Sequence, residues 1–200
     1  MLAESGIVSF HCDVRSASGK GAVSAWSAYR QLGVGELKDI EAAIKWLCAH
    51  PYIDATRIGI EGFSYGGFMT AYALTHSTLF AAGIAGGAVT DWQDYDSIYT
   101  ERYMRTPQDN PEGYAASSVV AAAANLHGRL FIMHGGLDDN VHLQHATRLM
   151  LALQRAGKRF ELMVYPDAGH GIGGIHYDRM MYEFIRTSLG AGAGSEWRID

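Results

Sequence analysis

The sequence predicts an α/β fold, a mostly parallel sheet with helices on both faces. Short apolar runs suited to strands alternate with helix-like stretches along the chain. Three of those runs end in loops that carry a serine, an aspartate pair and a histidine, each beside glycines. Open parallel sheets gather functional groups at such carboxyl ends. The 200 residues suffice for one domain with a substantial core.

Residues 6–12, Gly6-Ile7-Val8-Ser9-Phe10-His11-Cys12, read as a buried strand. Residues 13–33, rich in Gly, Ser and Ala, read as a long loop. Residues 36–50 carry Leu37, Ile40, Ala43, Ile44 and Leu47 at helical spacing, and Pro51 stops the helix. Glu36, Lys38, Asp39, Glu41 and Lys45 form its polar face. Strands follow at 58–63 and 80–89, the second broken by Gly86-Gly87, with a helix at 65–76 between them. Residues 92–104 read as a helix, 106–112 as a polar loop with a proline, and 117–124 as an Ala-rich helix. A strand at 130–134, a helix at 142–156, a strand at 159–165 and a helix at 177–189 complete five strands. Residues 190–200 begin as a Gly/Ala run and read as a disordered tail. Sheets of this kind have further strands before the one at Ile7, so the domain at 1–189 is expected to be incomplete at its N-terminus.

The formal net charge is −5, with charges interspersed and no Lys/Arg cluster, which argues against a nucleic-acid partner. No apolar run approaches the ~20 residues needed to cross a bilayer. No signal peptide is visible, and the compartment stays open, a periplasmic or secreted parent being compatible. Cys12 and Cys48 form neither a disulfide framework nor a metal-ligand spacing, and both read as buried thiols. No metal or cofactor is expected.

Gly62-Phe63-Ser64-Tyr65-Gly66-Gly67 lies between the strand at 58–63 and the helix at 65–76. A serine on so tight a turn, flanked by glycines, is a nucleophile elbow. Glycine is common here, 24 of 200 residues, so the spacing alone carries little weight. The acid and the histidine downstream carry more. Asp138-Asp139 follows the strand at 130–134, and His170 follows the strand at 159–165. Ser, Asp, His in that order is the order of an α/β-hydrolase triad. Asp138 is preferred to Asp139, which is left to cap the next helix. His134, His142 and His145 are rivals to His170, but none follows a separate later strand. His170 would take the Ser64 proton, Asp138 would hold the imidazole, and the Tyr65 N–H would meet the oxyanion. Trp92, Tyr95 and Tyr99 share one helical face and, with Val89 and Tyr65, could line either an aromatic pocket or the core.

The elbow, with Tyr95-Asp96-Ser97-Ile98-Tyr99-Thr100-Glu101-Arg102-Tyr103-Met104 and His134-Gly135-Gly136-Leu137-Asp138-Asp139-Asn140-Val141-His142, resembles the dipeptidyl peptidase IV branch of the prolyl oligopeptidase family of serine peptidases. The resemblance runs from about Ile7 to Leu189. It implies Ser64, Asp138 and His170 as the triad. It also implies a proline-sized pocket from Tyr65, Val89, Trp92, Tyr95, Tyr99 and Val141, with Asn140 on a substrate carbonyl. The activity it implies is removal of N-terminal dipeptides after Pro or Ala through an acyl-enzyme. Alternatives are an acylaminoacyl-peptidase or esterase on the same scaffold, and a non-catalytic interaction domain. The implied partners are a peptide substrate and a β-propeller domain in the parent, and a homodimer is allowed. Phe63 stands where this branch often has Trp. The family's oxyanion tyrosine and the acidic pair of its propeller fall upstream of Met1, so impaired activity is expected.

Overall fold

A computed structural model of the chain describes residues 2–190. Of the expected tail, residues 191–200 lie outside the described residues. Four strands, β1 (Gly59–Phe63), β2 (Ala82–Gly86), β3 (Arg129–Gly135) and β4 (Glu161–Tyr165), form one sheet in sequence order. Every pairing is parallel. The helices are α1 (Ala22–Ala25), α2 (Val34–Leu47), α3 (Tyr65–His76), α4 (Ser97–Met104), α5 (Pro111–Ser117), α6 (Gln144–Arg155) and α7 (Ile175–Ser188).

The central strands β2 and β3 are buried on both faces, as parallel strands require, while β1 and β4 are more open. Alternation along β3 divides the core: Leu130 and Ile132 pack with Phe68 and Leu74 of α3 and Leu149 and Leu153 of α6. Phe131 and Met133 pack on the opposite face with Phe184 of α7. The layered α/β architecture is therefore the one the alternating pattern predicts.

Several elements differ from their sequence reading. Residues 7–12 join no strand ladder, and Val8 and Phe10 are exposed. An apolar run supplies only propensity, whereas a strand needs a neighbour's backbone. A cleft of about 360 Å³ lies between this segment, the edge strand β1 and α2. Cys12, read as buried, is exposed for the same reason, and Cys48 is half-buried. Residues 13–33 contain α1 and a single 3-10 turn, Trp26–Ala28. The helix expected over 92–104 is two pieces, a 3-10 turn at Trp92–Asp94 and α4. Asp91 and Asp96 each accept a backbone N–H two or three residues on, so the chain caps twice instead of running through. The helix expected at 117–124 instead begins at Pro111 and ends at Ser117, because Pro favours the first helical position.

The turn between β1 and α3 fixes the rest of the rim. A Cβ on Gly62 would stand 2.4 Å from the Gly66 carbonyl carbon, and one on Gly67 would stand 2.4 Å from the Gly86 oxygen. A Cβ on Gly66, the other flank of Ser64, would meet nothing within 4 Å. The steric demand thus falls on Gly62 and Gly67, not symmetrically about the serine. Gly62→Ala is expected to lower unfolding stability by more than about 3 kcal/mol, since only backbone stands in its way. Gly66→Ala should change it by no more than about 1 kcal/mol. Urea denaturation of the two variants checks the asymmetry.

Candidate active site

Ser64 is the residue at the turn itself, with φ 57° and ψ −114°. Non-glycine residues avoid such a backbone, at a cost of roughly 1–3 kcal/mol. The Ser64 N–H donates to the Gly86 oxygen at the end of β2, 2.8 Å away, and the Ser64 oxygen accepts from Phe68 N–H at 2.9 Å. The side chain is thereby held above the sheet, at the positive end of α3. Tyr65 is the first residue of α3, so no helical carbonyl precedes its N–H.

Asp138 lies on the loop after β3 and is buried. Its Oδ1 accepts N–H groups from Asn140 at 3.0 Å and Val141 at 2.9 Å. Its Oδ2 stands 2.9 Å from Nδ1 of His170, which follows β4. Nε2 of His170 stands 2.9 Å from Ser64 Oγ. A carboxylate only accepts, so the imidazole proton sits on Nδ1, and Nε2 is free to accept from the serine hydroxyl. The Phe63 ring packs 5.2 Å from the imidazole, centroid to centroid. The structure therefore brings Ser64, His170 and Asp138 into one hydrogen-bonded line.

The rival residues stand elsewhere. Asp139 and His142 are exposed, and Asp139 caps no helix. His134 is buried, and its Nε2 donates to the Val141 oxygen at 2.7 Å, closing the acid loop onto β3. That nitrogen is 3.5 Å from Asp138 Oδ2, and the shorter carbonyl contact takes the proton. His145 is buried too; its Nδ1 accepts from Thr90 N–H at 3.2 Å, and the Thr90 hydroxyl donates to the His145 oxygen at 2.8 Å. Both histidines tie a loop to a regular element, His134 to β3 and His145 to α6.

The aromatic residues converge without sharing one helix. Tyr99 stacks on Trp92 at 5.8 Å, with 12° between the planes. Tyr95 stands edge-on to Trp92 at 5.9 Å and to Tyr99 at 5.4 Å. Tyr65 lies 5.9 Å from Trp92. Trp92, Val89 and Val141 belong to the buried core, and Tyr65, Tyr95 and Tyr99 pack on it half-exposed. The Tyr95 hydroxyl donates to Asn140 Oδ1 at 2.7 Å, which leaves the Asn140 NH₂ to donate elsewhere. Burial holds the phenols neutral, pushing Tyr99 up to about 12 and raising Tyr95.

Sequence reasoning placed Glu36 on the solvated face of α2, yet it is buried. Its Oε2 accepts the Gly33 N–H at 3.1 Å, half of a capping box. Its Oε1 accepts the Tyr65 hydroxyl at 3.1 Å and the Ser16 hydroxyl at 2.8 Å. Burial, then the Glu36 charge, raises the Tyr65 phenol well above its ordinary value. The available signal was a Gly three residues before a Glu at a helix start. No cluster of three or more metal-ligating side chains occurs among the described residues, nor any helix long and apolar enough to cross a membrane.

A family model described as Prolyl oligopeptidase family matches residues 1–192. The Probable dipeptidyl-aminopeptidase B of Metarhizium robertsii is 45% identical over 171 residues, 84% of this chain and 19% of that protein. The Probable dipeptidyl-aminopeptidase B of Neurospora crassa is 43% identical over 170 residues, 83% of this chain and 18% of that one. The crystal structure of Porphyromonas gingivalis dipeptidyl peptidase 4 superposes with a TM-score of 0.86 at 42% identity, covering 88% of this chain and 26% of that one. The chain thus spans about a fifth of the length of the curated relatives it matches.

Burial also depresses His145, to about 4. The folded state holds its neutral form, so an unfolded chain binds the proton more readily. The stability it contributes is present above the ordinary histidine value near 6.5 and is lost as pH falls toward 4. Unfolding stability should drop by about 2 kcal/mol more between pH 7 and pH 5 in the native chain than in His145→Gln. Urea titrations at the two pH values measure the difference.

Proposed function

The chain belongs to the prolyl oligopeptidase family, and on that premise we propose that it carries the catalytic machinery of a serine peptidase that removes N-terminal dipeptides after Pro or Ala. The observation supporting this most is the line from Ser64 through His170 to Asp138, two contacts of 2.9 Å each, at a serine held in a positive-φ elbow.

Serine is a weak nucleophile at neutral pH until a base removes its proton. In this reading His170 Nε2 accepts that proton as Ser64 Oγ adds to the scissile carbonyl. Asp138, fixed by two backbone N–H groups, stabilises the imidazolium and preserves its tautomer. The Tyr65 N–H donates to the developing oxyanion. His170 then protonates the departing amine, leaving a dipeptidyl ester on Ser64. Water, deprotonated by the same imidazole, releases the dipeptide and restores the serine.

The residue before the scissile bond would enter the space bounded by Tyr65, Tyr95 and Tyr99 and floored by Val89, Trp92 and Val141. Proline suits such a site, being compact and apolar and lacking an N–H when in peptide linkage. The Asn140 NH₂, freed by the bond of its oxygen to Tyr95, would donate to the carbonyl of the preceding residue. Peptide substrate, a propeller partner and self-association remain part of this proposal.

A fluorophosphonate probe is expected to label the chain at Ser64, and Ser64→Ala should abolish labelling. Asp138→Asn should slow it by about 10³–10⁴-fold through the wrong tautomer. Absence of labelling in the unaltered chain and in any longer parent would favour an interaction domain. Turnover of an N-acetyl-Ala chromogenic ester or amide in preference to a Gly-Pro one would favour the acylaminoacyl-peptidase or esterase reading.

A further inference from the structure

Glu36 stands outside the three strand ends that supply Ser64, Asp138 and His170, yet it reaches the same site. Gly33, at φ 91°, begins α2 so close to α3 that an added Cβ would lie 2.8 Å from Phe68 Cζ. That approach sets Glu36, three residues on, against the Tyr65 hydroxyl. The carboxylate is 1% exposed and gathers three donors: Gly33 N–H, Ser16 O–H and Tyr65 O–H. Capping α2 needs only Oε2. The other oxygen joins a loop hydroxyl to the phenol of the residue next after the nucleophile.

We propose that Glu36 is a positioning residue for substrate selection: it fixes the Tyr65 ring against Trp92 and so sets the width of the pocket that takes the residue before the scissile bond. The proposal rests on the peptidase reading above. Tyr65 is held by its backbone at the first turn of α3, by the Phe68 and Trp92 rings at 5.4 and 5.9 Å, and by the Glu36 carboxylate at its hydroxyl. The ring contacts are tolerant of rotation, whereas a hydrogen bond to a charged acceptor is directional. A carboxylate is also the group that accepts from all three donors at once. A glutamine has one acceptor oxygen; facing Tyr65 and Ser16 it turns its NH₂ on the Gly33 N–H, and facing Gly33 it turns the NH₂ on both hydroxyls. The first arrangement opposes two donors in a buried place; the second makes both hydroxyls accept from a neutral amide, so in either the phenol loses its bond to a charged acceptor.

The test compares two covalent probes on the full 200-residue chain. One is a Gly-Pro diphenyl phosphonate, which must seat its pyrrolidine ring; the other is a small alkyl fluorophosphonate, which needs only the nucleophile. Both report folded molecules alone, so the ratio of their labelling rate constants does not move with the fraction folded. In Glu36→Gln the ratio is expected to fall by about tenfold. Ser16→Ala removes one donor from the same carboxylate and should lower it by roughly threefold, keeping the proposal testable if the first variant folds poorly. A ratio within twofold of the native chain in both variants would overturn the role of Glu36 while leaving the nucleophile intact. Neither probe reacting with the native chain or with a longer parent would overturn the peptidase reading, and this proposal with it.

Discussion

The carboxyl rim of the sheet depends on one steric requirement, that the chain reverse from β1 into α3 within a single residue. Ser64 meets it by adopting φ 57°, and its N–H is anchored on the last carbonyl of β2. The strain of roughly 1–3 kcal/mol is small beside what α3 returns. Phe68 and Leu74 are fully buried beneath it, and each such side chain contributes about 1.5–3 kcal/mol. The helix can press that hard on the sheet because Gly67 and Gly62 present no side chain at the two closest approaches. Packing therefore holds the serine in a conformation it would not choose, and the hydroxyl emerges where the loops of β3 and β4 deliver their side chains.

Those loops are held by buried polar groups as well as by apolar contact. Asp138 is fixed by two N–H groups of its own turn, and His134 clamps the end of that turn to β3. His145 does the same for the segment after β2 that leads to Trp92. Glu36 plays the corresponding part for Tyr65. A buried polar group left unpaired is costly, so each of these contacts specifies one geometry where apolar packing would accept several. The rim is thus precise although most of it is loop.

The residues whose chemistry depends on local pattern were legible in the sequence. The strand, turn and helix around Ser64 could be read from glycine spacing and apolar runs, and α3 falls at the expected residues. Asp138 and His170 could be placed by the strands that precede them. Features decided by partners distant in sequence were not legible. Residues 7–12 have strand composition, but pairing depends on a neighbouring backbone. Glu36 looks like an ordinary polar-face residue until Ser16 and Tyr65 close over it. The break at Tyr95-Asp96 was written in two capping aspartates, which helical periodicity overrode. Tyr95, Tyr99 and Trp92 still meet, because the extended residues between the two turns redirect the chain.

The central claim is that the His170 imidazole bridges a serine hydroxyl and a buried carboxylate, with its Nδ1 proton given to Asp138. Proton NMR of the chain with ¹⁵N-labelled histidine observes that proton directly. A strongly downfield, slowly exchanging resonance on Nδ1 of His170, present in the native chain and lost in Asp138→Asn, is the predicted result. Its absence from the native spectrum under conditions where the chain is folded, or its survival in Asp138→Asn, would contradict the geometry.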